Sequence, residues 1–154
     1  MSERSKKLAH YIRRAKERQS TTSQTNHVEL LDKGFAFLKI DLEREFHSQI
    51  NDVNHEPGCV GTFGCAFSGQ GARVFRVGGE DGGLTIDFNP DERTAEIKGK
   101  EPVNFYYFIR IKLAKDETKW CCAGGEKRTE LAPINCKLDI VVEQALLALC
   151  GIDT

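Results

Sequence analysis

Residues 103–127 read VNFYYFIRIKLAKDETKWCCAGGEK, and the first eleven of them decide the fold class. Successive side chains of an extended strand point to opposite faces. Phe105, Tyr107, Ile109, Ile111 and Leu113 therefore share one face, and Asn104, Tyr106, Phe108, Arg110 and Lys112 share the other. Aromatics stand on both faces in the first half, which predicts a central strand partly covered on its second face. AKDE, residues 114–117, turns the chain, and TKWCCA, 118–123, returns as a second strand that ends at Gly124-Gly125. Trp120 and Cys122 then face one way and Cys121 the other. Two adjacent thiols so placed cannot ligate one ion without distorting the strand, and they read as small apolar side chains in a sheet.

Toward the N-terminus the period stays at two. CVGTFGCAF (59–67) puts Phe63, Cys65 and Phe67 on one side. ARVFRV (72–77) opposes Val74 to Arg73 and Phe75, and LTIDF (84–88) opposes Leu84, Ile86 and Phe88 to Thr85 and Asp87. NPDE (89–92) is a turn with Pro90 at its first central position, and RTAEIKG (93–99) completes a hairpin with Ala95 and Ile97 inward. GGEDGG (78–83) reads as a loop of positive-φ positions, and SGQGAR (68–73) as a turn, since its G-x-G lacks the third glycine of a dinucleotide site.

Before residue 58 the period changes to that of a helix. Val28, Leu31, Phe35, Leu38, Leu42, Phe46, Ile50 and Val53 form one apolar stripe, with Asn26 as N-cap, Glu29 completing a capping box, and Pro57-Gly58 ending the helix. Leu30, Phe37 and Ile40 lie on the opposite face, where large apolar side chains need a cover. An earlier helix, 3–19, carries Leu8, Tyr11, Ile12 and Ala15 on a narrow face, and SQTNHV (23–28) separates the two. At the other end CKLDIVVEQALLALCGI (136–152) reads as a buried helix with Asp139 as N-cap and Gly151 at its C-terminal cap, although Leu138, Ile140 and Val142 also alternate as in a strand. The expected fold is α+β: an antiparallel meander of five or six strands, two N-terminal helices and one C-terminal helix packed mainly on one face. Residues 1–25 form a basic helical arm and polar linker, and residues 26–154 one domain.

The chain has 154 residues and a net charge of −1, but residues 1–27 hold seven Lys/Arg against two Glu while the rest holds fifteen against twenty-one. No apolar run reaches the roughly 18 residues of a membrane span, and no secretion signal is legible, so a cytoplasmic protein off the membrane is expected. Six cysteines without a C-x-x-C then read as reduced thiols. His55, Cys59 and Cys65 are the one local cluster of metal-ligand types, at a spacing that matches no zinc pattern. No nucleophile elbow, phosphate loop or metalloprotease motif is present, so neither metal, cofactor nor catalytic residue is assigned.

Three functional readings remain. The first is a non-catalytic module that binds a protein partner, or itself as a homo-oligomer, through Leu30, Phe37 and Ile40. The second is a small-molecule or enzymatic site between sheet and helix, near Tyr106, Arg110 and Trp120. The third is nucleic-acid contact through Arg4, Lys6, Lys7, Arg13, Arg14, Lys16 and Arg18 on the basic arm.

Overall fold

The computed structural model describes residues 3–58, 62–78, 82–134 and 137–151; in its first helix the side chains of 6–13 and 27–55 are described. The class is α+β, with helices on one face of a single antiparallel sheet. Helix α1 (Glu3–His55) is followed by β1 (Phe63–Phe67), β2 (Gly71–Arg76), β3 (Gly83–Asn89), β4 (Thr94–Lys100), β5 (Tyr106–Leu113), β6 (Trp120–Lys127) and β7 (Glu130–Pro133), then by α2 (Leu138–Leu149). The strands lie in chain order, each beside its predecessor.

Both expected N-terminal helical stretches are helical, but they join in one element of 53 residues, about 80 Å long at 1.5 Å per residue. Residue 26 therefore lies in mid-helix and not at a helix start. Ser, Thr and Asn lower helix propensity by only tenths of a kcal/mol each, and residues 20–28 contain no Pro or Gly to break the ladder. The helix stops where expected, ahead of Pro57 and Gly58, which adopts φ +85°. Asn54 then clips it to the sheet, donating to the Phe63 carbonyl at 3.0 Å and accepting from the Phe63 amide at 3.1 Å.

The sheet has seven strands, not five or six. The unforeseen one, β7, is four residues long and contains Pro133. A proline has no N–H for a ladder and so sits at a sheet edge, which is the place β7 occupies. Strand β6 also runs through Gly124-Gly125 instead of ending there. A Cβ on Gly124 would lie 2.7 Å from the Tyr107 ring, so the glycine leaves room for that aromatic across the β5–β6 ladder. The register of β6 against β7 shifts between Gly124 and Lys127.

The core lies between one sheet face and the two helices. Phe35, Leu38, Leu42, Phe46 and Ile50 of α1 and Leu138, Val141, Val142, Ala145, Leu146 and Leu149 of α2 pack on Val74, Leu84, Ile86, Ile97, Ile109 and Ile111. The stripe on α1 is thus borne out from Leu31 onward, while Val28 is exposed. The C-terminal segment is a helix throughout; Lys137, not Asp139, occupies the cap position, and Asp139 stands in the first turn two residues after it. Gly151, φ +74°, closes the helix as expected by donating to the Ala148 carbonyl at 2.9 Å.

Candidate interaction surfaces

Phe37 and Ile40 remain 42% and 51% exposed, and Leu30 is half-buried. Among the described residues no other helix covers them. Phe37 instead stacks on Trp120 of β6, ring centroids 5.8 Å apart and planes 19° from parallel. The geometry depends on Gly34, one turn earlier: a Cβ there would lie 2.8 Å from both Trp120 and Ile111. The missing side chain lets α1 approach the sheet and lets the indole reach the outward side of the helix. Further along α1, Leu8 and Tyr11 are 62% and 66% exposed, and Ile12 is also exposed. Among the described residues none before Gly34 is buried.

A groove of about 540 Å³ opens where the end of α1, the start of β1 and α2 meet. Val53, Phe63 and Leu146 line its apolar part, and Asp52, Asp139 and Glu143 its rim. Gln49 spans the helices, donating to Glu45 at 2.8 Å and to the Asp139 carbonyl at 2.9 Å.

The helix-free face of the sheet holds a buried carboxylate. Glu96 on β4 is 6% exposed. It accepts from Tyr106 Oη at 2.8 Å, Arg128 Nε at 2.9 Å and Lys98 Nζ at 2.5 Å, and Arg128 Nη2 closes on the same carboxylate. Burial alone would raise its pKa, but the hydrogen bonds from Lys98, Arg128 and Tyr106 outweigh that and hold it down at about 2. Phe108, 2% exposed, lies beneath the guanidinium groups of Arg110 and Arg128, at 5.5 and 5.1 Å from its ring centre. This is the partial cover expected on the second face of β5, and it is made of cations.

The candidate ligand residues are thereby divided. Tyr106 and Arg110 pair in register with Lys98 and Thr94 on the helix-free face, while Trp120 is on the α1 side. They do not converge on a site between sheet and helix, because residues an even number apart within β5 share a face that Trp120, opposite Leu113, does not. Cys121 and Cys122 point to opposite faces as expected, with Cys122 in the core.

The histidine near Cys65 is His47, not His55. Its Nδ1 lies 3.6 Å from Cys65 Sγ, and its Nε2 lies 3.7 Å from Glu43 Oε1. A helix residue eighteen positions away meets a strand here, a proximity that local spacing could not reveal. The arrangement resembles a nucleophile, base and orienting acid in order only. Burial, then the Glu43 charge, push the Cys65 thiol up, whereas a nucleophilic cysteine needs its thiolate favoured. His55 donates from Nδ1 to the Asn51 carbonyl of its own helix at 2.6 Å, and Cys59 lies outside the described residues.

On the basic arm Lys6, Lys7 and Arg13 are exposed, and the side chains of Arg4, Arg14, Lys16 and Arg18 lie outside those described. Among the described residues no three His, Cys, Asp or Glu side chains are placed to hold a metal, and no helix is long and apolar enough to cross a membrane. Comparison with known proteins finds no matching family model, no matching curated protein and no matching solved structure.

Proposed function

We propose that the chain is a protein-interaction module that works through the outward face of α1. The observation that carries this reading is the exposure of Phe37 and Ile40 on the side of the helix away from the core stripe, continued by Leu8, Tyr11 and Ile12. Covering one such side chain is worth roughly 1.5–3 kcal/mol, and a single chain leaves that stabilisation unused. The thiol beside His47 is not activated, and the ligand candidates sit on different faces, so the catalytic and small-molecule readings have less support.

Ile40→Asp tests it most cleanly, because Phe37 also stacks on Trp120. The variant should lose assembly, seen as solution mass or partner binding, while its thermal midpoint at limiting dilution matches the parent. An Ile40→Asp protein indistinguishable from the parent in mass, binding and melting removes the reading.

A further inference from the structure

We infer that the outward face of α1 takes a second copy of the same helix, running antiparallel. The inference rests on the interaction reading above and names its partner. At about 100° per residue, Leu8, Tyr11, Ile12, Leu30, Phe37 and Ile40 all fall within an arc of about 100°. That arc is centred roughly opposite the stripe from Phe35 to Ile50 that meets the sheet. A continuous helix therefore carries two apolar clusters on one face, one in each half.

The clusters are self-complementary. Leu8 and Tyr11 are three residues apart, as are Phe37 and Ile40. One two-fold axis near the helix midpoint sets Leu8 of one copy against Ile40 of the other and Tyr11 against Phe37. Each copy then contributes both clusters, so the contact is made twice and closes. The sheets lie on the outer sides of the paired helices and at opposite ends, so the bodies do not collide.

Charge selects this orientation over the parallel one. Residues 1–27 carry seven Lys/Arg against two Glu, whereas residues 28–55 carry six acids against three Lys/Arg. Antiparallel pairing lays the basic half of each helix on the acidic half of the other; parallel pairing lays like on like. Lys7 and Glu43, both exposed, are thirty-six residues apart, a whole number of turns, and so lie on the same flank of the apolar face. A two-fold axis across an antiparallel pair keeps like flanks together and brings Lys7 of each copy to within about two residues of Glu43 of the other, about 3 Å along the axis.

The test uses the full chain in sedimentation equilibrium at low salt. The parent should have a two-chain mass, and Leu8→Asp and Ile40→Asp should each weaken it by about tenfold or more. Lys7→Glu and Glu43→Lys should each weaken it several-fold, and an equimolar mixture of the two should form a mixed dimer tighter than either alone. If Ile40→Asp dissociates the assembly but Leu8→Asp and the mixture have no effect, the antiparallel geometry is overturned and the interaction reading survives. A two-chain mass that none of the four substitutions changes overturns both. A single-chain mass at every concentration overturns self-pairing and leaves the face to a different protein.

Discussion

Glu96 shows at the scale of one residue what the sequence concealed. Read alone, the alternation in RTAEIKG puts it on the polar side of a strand, and there it is. Its burial comes from Arg128 and Tyr106, thirty-two and ten residues away, delivered by the β4–β5 pairing and by the turn after β6. No local pattern encodes such a meeting. By contrast, the opposed directions of Cys121 and Cys122 follow from strand geometry alone and were legible. The low pKa of Glu96 makes a pH prediction with a definite sign. Its folded value, about 2, lies below the usual carboxylate value of 4.5, so its contribution to stability is full above about pH 4.5 and is lost as pH falls through about 2. Glu96→Gln should cost on the order of 1 kcal/mol at neutral pH, at the low end for a buried charged hydrogen bond because Arg128 and Lys98 remain largely in solvent. Chemical denaturation at several pH values should show that difference shrinking between pH 4.5 and 2. A difference that stays constant to pH 2 would mean the carboxylate's charge contributes nothing.

Among the elements, those with strong periodicity were the ones legible in advance, and their junctions were not. Six strands and the helix ends, ahead of Gly58 and at Gly151, follow from alternation and from positive-φ glycines. The continuity of α1 does not, because a polar stretch such as SQTNHV is equally at home in a loop or on a solvated helix. Strand β7 was missed because four residues with a proline carry too little pattern. A mid-helix glycine such as Gly34 costs about 1 kcal/mol against alanine. Its contacts reverse the expected effect of replacing it. Gly34→Ala gains that propensity but drives a methyl into Trp120 and Ile111, and overpacking costs roughly 1–3 kcal/mol, so a net loss of up to about 2 kcal/mol is expected. Thermal melting measures the loss, and a shift in tryptophan emission reports the displaced indole. A stabilised Gly34→Ala protein would show that α1 stands farther from the sheet. The basic first half of α1 permits a separate test of nucleic-acid contact. Replacing Arg13, Arg14 and Lys16 with Ala should leave the thermal midpoint within about 0.5 kcal/mol of the parent, and failure of the parent to bind any nucleic acid at low salt removes that reading, since phosphate contacts are strongest there.

For the whole molecule, the two ends of the chain differ in what they do for the fold. The sequence placed one domain after an arm, with the boundary near residue 25, and the distribution of burial gives that boundary an energetic test. Helix α2 buries Leu138, Val141, Val142, Leu146 and Leu149 against the sheet and α1. At roughly 1.5–3 kcal/mol for each side chain, these five account for about 8–15 kcal/mol, as much as the entire stability of an ordinary domain. Among the described side chains of the first half of α1 none is buried, and one link runs from them to the β5–β6 turn, His27 to Glu117 at 3.6 Å. Deleting residues 1–25 keeps that link and should leave a chain that melts cooperatively, with the parent's midpoint at limiting dilution but without the parent's assembly. Ending the chain at Lys137 should instead leave the core side of α1 and β3 without the cover of α2 and give no cooperative transition. Circular dichroism with light scattering on both truncations decides the matter. If the chain ending at Lys137 folds, the core does not depend on α2; if the chain lacking residues 1–25 fails to fold, the arm is part of the domain and α1 is stabilised along its full length by contacts within one copy.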